Sequence, residues 1–135
     1  MAVRIDVVYE GDLQCTVTHP SGDRIVTDAP LDNEGQGRHF SPTDLSAASI
    51  GSCMLTVMGI VARRHGLDIA GSLAVVDKVM GATPRRHIAR LVVRITLPSR
   101  LAEAERKLLE DTARACPVTA SLGASTEIDL GFEYL

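Results

Sequence analysis

A chain of 135 residues is long enough for one domain with a small core of its own. With 45% apolar and 23% charged residues it reads as globular rather than disordered, and with two Phe, two Tyr and no Trp its core must be aliphatic. A net charge of −3 excludes a general nucleic-acid binder, which carries a basic face. The short clusters Arg63-Arg64-His65 and Arg85-Arg86-His87 have no aromatic neighbours on which bases could stack, so no nucleic-acid partner is expected. Met1 to Glu10 alternates charged with apolar residues and lacks the apolar stretch of a signal peptide. No run is read as reaching the roughly 18 apolar residues of a membrane span, so no membrane partner is expected either. Three cysteines without an export signal point to a reducing compartment with at least one free thiol, and the expected location is cytoplasmic.

In chain order the pattern is strands, helix, strands, helix, strand, within a single domain over 1–135. Residues 3–9 alternate as a half-buried strand. A turn at Glu10-Gly11-Asp12 leads to a second strand, Leu13 to Thr18, and Pro20-Ser21-Gly22-Asp23 leads to a third, Arg24 to Thr27. Residues 28–40 hold Pro30, Gly35 and Gly37 and form a long loop of the kind that often carries function. Ser41-Pro42 then starts a helix: Ser as N-cap, Pro at the first position and Asp44 in the first turn. That helix runs to about His65, with Gly66 as its C-terminal cap. It is small or apolar on nearly every side, which predicts burial on most sides and completion by a second subunit.

Strands over 68–80 and 85–97 follow, joined by Gly81-Ala82-Thr83-Pro84. Ser99 is the expected cap of a second helix whose apolar stripe is Leu101, Leu108, Leu109, Thr112 and Cys116. Pro117 cannot continue the hydrogen-bond ladder, so the helix kinks or restarts there. If it restarts, Cys116 becomes the N-cap of the new turn, where a thiolate would be favoured. A strand from Glu127 to Leu135 closes the chain. Cys53 and Cys116 thus both fall on apolar helical faces, where they are either small hydrophobes or a facing redox pair. Cys15, on a strand, is read as a packed side chain. His19, His39, His65 and His87 have no ligand spacing, and no metal is expected.

The run Ser41-Pro42-Thr43-Asp44-Leu45…Gly51-Ser52-Cys53, followed by Ala115-Cys116-Pro117-Val118, resembles the OsmC/Ohr family of osmotically inducible and organic hydroperoxide resistance proteins. That family shares a Ser/Asn-Pro helix start, a cysteine eleven residues after the proline (here 53 − 42 = 11) and a later Cys-Pro. The resemblance implies an α+β fold in which two antiparallel sheets wrap two central helices of an intertwined homodimer. It also implies a thiol peroxidase acting on organic hydroperoxides. Cys53 would attack the peroxide and become a sulfenic acid, and Cys116 would condense with it to a disulfide. A dithiol reductant, lipoyl-bound in the organic-hydroperoxide branch, would restore the pair, and no bound cofactor is implied.

The chain also departs from that pattern. A thiol in apolar surroundings needs a cation to hold it as thiolate. The peroxidase branches use an arginine from the N-terminal strands, held by a glutamate just after the helix-start proline. Here Thr43 follows Pro42, and Gly11-Asp12-Leu13-Gln14-Cys15 carries no base. Arg38, just before the helix, is the substitute expected here, with Arg24 the weaker one. Two other readings stay open. One is a non-enzymatic OsmC-like dimer that binds a small apolar ligand or senses redox state. The other is a hot-dog-type thioesterase, which would have one central helix and no need of paired cysteines.

Overall fold

The N-terminal strands form where β-branched residues alternate with polar ones. In the computed structural model, which describes residues 1–135, the chain falls into two units, Met1–Ser46 and Ala47–Leu135. In the first, β1 (Asp6–Gly11), β2 (Gln14–Thr18) and β3 (Arg24–Asp28) make an antiparallel meander. The register sets Val7 beside Val17 and Ile25, and Tyr9 beside Cys15 and Thr27, so one face of this sheet is nearly all apolar. Much of that face is open to solvent: Val7 is 59% and Tyr9 62% exposed.

The long loop after β3 is closed on itself rather than loose. It contains a single 3-10 turn, Leu31–Asn33. The Asp28 amide donates to the Phe40 carbonyl at 3.1 Å, and Gly37 donates to Ala29 at 3.3 Å. Gly35 lies so close to Ala29 that a Cβ there would fall 1.7 Å from the Ala29 carbonyl oxygen, so no side chain fits. Both ends of the loop are therefore pinned together in front of the first long helix.

That helix, α1 (Pro42–Arg64), crosses from the first unit into the second. Ser41 caps it reciprocally with Asp44: the Asp44 amide donates to Ser41 Oγ at 3.1 Å, and the Ser41 amide donates to the Asp44 carboxylate at 2.9 Å. At its C-terminus Gly66 takes a φ of +66°, and Leu67 donates to Ala62 at 2.8 Å, which satisfies two late carbonyls together with the Gly66–Arg63 bond.

In the second unit β4 (Leu73–Gly81) pairs antiparallel with β5 (His87–Leu97), and β6 (Glu127–Tyr134) pairs with β5 in parallel. The α+β class with two sheets is as expected, but this second sheet is mixed, not purely antiparallel. The cause is the excursion between β5 and β6, through α2 (Glu103–Arg114) and α3 (Pro117–Ser121). A helical crossover of that length carries the chain back to the end of the sheet at which β5 began, so β6 runs parallel to it.

The core of this unit is the stripe Ile50, Met54, Met58 and Ala62 of α1, packed with Leu91, Val93 and Ile95 of β5 and Leu109 and Ala113 of α2. Gly51 permits the approach of α1 to β4, since a Cβ there would already touch Val76 at 3.1 Å. Tyr134 ties β6 to α2 by donating to the Glu110 carboxylate, and the Arg106 guanidinium lies 4.0 Å above its ring.

Two expectations need correction, those for the cap of α2 and for the membrane span. Ser99 does not cap α2; Ala102 stands at the N-cap, and the Glu105 side chain accepts its amide at 2.7 Å, so the anchor is the first-turn carboxylate. Within one chain α1 is buried along one stripe only, while Ala48, Ser49, Ser52, Thr56 and Ile60 are exposed. By length and composition α1 is also apolar enough to cross a membrane, contrary to the sequence reading, although its buried stripe packs in the core. Leu109 is fully buried, so Leu109→Ala should cost about 2–5 kcal/mol, read as a lower urea midpoint with unchanged slope. A loss below about 1 kcal/mol would contradict the core described here.

Candidate functional site

The two thiols of the second unit come together because of where α2 ends. Pro117 has no amide to continue α2 and instead occupies the first position of α3, which leaves Cys116 as the extended N-cap residue between the two helices. The N-cap side chain is thereby aimed back over the first turn of α3. The Thr119 amide donates to Cys116 Sγ at 3.3 Å, and Thr119 Oγ1 is hydrogen-bonded to the same sulfur at 3.0 Å. Cys116 is completely buried.

Cys53, midway along α1, is half-buried and hydrogen-bonded to both the Val118 amide and the Cys116 thiol. Both thiols are free. Cys53 and Cys116 are therefore brought together, one reachable from solvent and one not, with consecutive amides of α3 facing the two sulfurs. Val118 and Leu122 of the same segment, like Cys53, pack against the hydrophobic core.

The electrostatics favour the protonated form of Cys53. Burial pushes its thiol above the ordinary value, the Val118 amide works in the opposite direction, and the neighbouring Cys116 pushes it up again. No cation is among these influences. Local structure alone thus supplies pairing but not ionisation.

The other expected residues lie in the first unit. Arg38 sits at the end of the closed loop, where its amide donates to the Asp28 carboxylate at 3.2 Å. It lines a cleft of about 380 Å³ with His39, Phe40 and Asp44. Arg24 is an exposed residue of β3 opposite Thr18. Cys15 is half-buried on β2 between Tyr9 and Thr27. In the second unit a cleft of about 510 Å³ runs along Leu55, Gly59, Ala62 and the 67–72 loop, and it contains neither cysteine. No group of histidine, cysteine and acidic side chains is arranged to hold a metal.

Three participants were not anticipated from the sequence. Asp28 is 1% exposed and clamps the Arg38 backbone, and nothing in its strand-end position signals this. Val118 and Thr119 act through their amides, a role no side-chain pattern reports. The hydroxyl of Thr119 was the one legible sign, since it stands at the third position of the turn capped by Cys116.

Comparison with known proteins agrees with this arrangement. The family described as OsmC-like protein matches residues 35–131. No match was found among curated proteins. Among solved structures the chain is similar to one from Psychrobacter arcticus 273-4 named for osmotic stress induction and detoxification response. The two are 42% identical with a TM-score of 0.90, over 96% of this chain and 94% of that one. An organic hydroperoxide resistance protein OsmC from Legionella pneumophila shares the fold at 16% identity and a TM-score of 0.78, covering 98% and 97% of the two chains. An OsmC like protein from Mycoplasma pneumoniae does so at 17% identity and a TM-score of 0.84, covering 100% and 98%.

Ser41 is 1% exposed and its hydroxyl accepts the Asp44 amide, so Ser41→Ala should lower stability by about 0.5–2 kcal/mol in urea unfolding. A neutral substitution would mean that α1 does not depend on this cap.

Proposed function

The chain belongs to the OsmC-like protein family, and from that premise we propose that it reduces organic hydroperoxides through the thiol pair Cys53 and Cys116. The single observation carrying this reading is the contact between two free thiols of unequal access, Cys53 half-buried and Cys116 fully buried. Relatives that share the fold are named for organic hydroperoxide resistance, which supports the same substrate class.

The chemistry follows from that inequality. The Cys53 thiolate attacks the terminal peroxide oxygen, the O–O bond breaks, and the alkoxide takes a proton and leaves as the alcohol. Cys53 becomes a sulfenic acid. Cys116 sulfur then attacks Cys53 Sγ, water departs with the sulfenic oxygen, and the disulfide closes. A dithiol of the lipoyl class returns both sulfurs to thiols by exchange. The apolar core against which Cys53 and Val118 pack is in keeping with an alkyl rather than a hydrogen peroxide substrate.

A peroxidatic Cys53 has to ionise near neutral pH, and its own surroundings push the other way. In this reading Arg38 supplies the cation. Its backbone is anchored by the buried Asp28 carboxylate, so a charged side chain is carried by a fixed loop. A second copy of the chain completes the molecule: the exposed small-residue stripe of α1 and the apolar outer face of the first sheet are the surfaces a homodimer would cover. Three free thiols are in keeping with a reducing compartment such as the cytoplasm. The raised Cys53 thiol favours a second reading, an OsmC-like dimer that binds a small apolar molecule or senses redox state without turnover.

Consumption of cumene hydroperoxide with dihydrolipoamide as reductant separates the two. Wild type should turn over, Cys53→Ser should abolish turnover, and Arg38→Ala should slow it on the order of tenfold or more. The pH profile of iodoacetamide alkylation should place Cys53 below the free-thiol value of about 8.5 in wild type and above it in Arg38→Ala. Absence of turnover in fully reduced wild type would overturn the peroxidase and leave the binding or sensing dimer.

A further inference from the structure

We propose that Thr119 fixes the direction in which the Cys53–Cys116 disulfide is opened: the external reductant attacks Cys53, and Cys116 leaves as a thiolate held by Thr119. This rests on the thiol pair of the proposed function and adds what that reading leaves open, namely which sulfur the reductant joins.

Two sulfurs of a disulfide are not equivalent to an incoming thiolate. Attack must be in line with the S–S bond, and the reaction is faster when the departing sulfur is the better-stabilised thiolate. Access separates the two first. Cys116 Sγ belongs to a completely buried residue between α2 and α3, whereas Cys53 is half-buried and reachable.

Stabilisation of the departing sulfur points the same way. The geometry described above, with both thiols reduced, is the product of the exchange, so its hydrogen bonds show what each leaving sulfur would find. Cys116 Sγ accepts from the Thr119 amide at 3.3 Å and is hydrogen-bonded to the Thr119 hydroxyl at 3.0 Å, which can donate once the sulfur is a thiolate. Cys53 Sγ meets one amide, that of Val118. Both Thr119 groups are held by the first turn of α3, which Pro117 starts, so at most a hydroxyl proton has to turn when charge arrives at Cys116. Hydrogen bonds to a charged acceptor are the strong ones.

The step is balanced. A reductant thiolate bonds to Cys53 Sγ, the S–S bond breaks, and its electron pair goes to Cys116 Sγ, which is then protonated. The second thiol of the dithiol displaces Cys53 as thiolate, leaving the reductant as the oxidised, cyclic disulfide. Thr119 is thus a positioning residue acting through Cys116, and it makes the mixed disulfide form at the reachable site.

The test begins with the full chain oxidised by diamide, which needs no peroxidase activity. Glutathione, a monothiol, is then added, free thiols are blocked with N-ethylmaleimide in acid, and peptides are mapped by mass spectrometry. In wild type the glutathione should be on Cys53 and the maleimide on Cys116. Reduction by dithiothreitol should slow about tenfold in Thr119→Val, which keeps the amide and loses the hydroxyl, and should recover in Thr119→Ser. The pH profile of that reduction should also shift in Thr119→Val, a change that a loss of stability alone does not produce. Glutathione on Cys116, or equal rates for Thr119→Val and wild type, would overturn the inference while leaving the thiol pair intact. Failure of diamide to link Cys53 to Cys116 would instead overturn the pair itself, and the inference with it.

Discussion

The break between α2 and α3 is the constraint on which the site depends. Pro117 can neither donate to α2 nor avoid starting a new turn, so the chain changes direction at Cys116. Without that break Cys116 would be one more apolar residue on the α2 stripe, among Leu109 and Ala113. With it, the sulfur is withdrawn from solvent, capped by Thr119 and turned toward Cys53 of α1. The surrounding core serves this placement: α1 is seated on β5, and the parallel return to β6 keeps α2 and α3 over the same sheet.

Burial and reactivity oppose each other here. The packing that brings the two sulfurs within hydrogen-bonding reach also removes water from Cys53 and disfavours its thiolate. One peptide amide only partly offsets that. Within the second unit no cation offsets this, while in the first unit the loop that carries Arg38 is closely tied to itself. Gly35 pressed on Ala29, the bond from Asp28 to Phe40 and the clamp on the Arg38 amide all reduce the freedom of that loop.

Much of the fold was legible because it follows from local chemistry. Ser41-Pro42 with Asp44 announces the start of α1, Gly66 its end and Pro117 the restart, and each works through backbone groups within a few residues. The direction of β6 was not legible, because strand periodicity carries no information on whether a neighbour runs parallel; that depends on where a whole crossover ends. The cap of α2 was misplaced for a related reason, since Ser99 has the side chain of a cap but Glu105 has the reach. At the site, spacing and the Cys-Pro pair pointed to both thiols. The amides of Val118 and Thr119 and the buried Asp28 carboxylate did not show, since backbone donors and tertiary clamps leave no residue-type signature.

Hydroperoxide reduction of the kind proposed requires Cys53 and Cys116 to act as one redox couple. The most direct measurement is a non-reducing peptide map of the fully reduced protein after a single equivalent of cumene hydroperoxide. The expected result is a Cys53–Cys116 link with Cys15 still a free thiol. Oxidation confined to Cys53 as sulfinic acid, with Cys116 untouched, or three intact thiols, would contradict it.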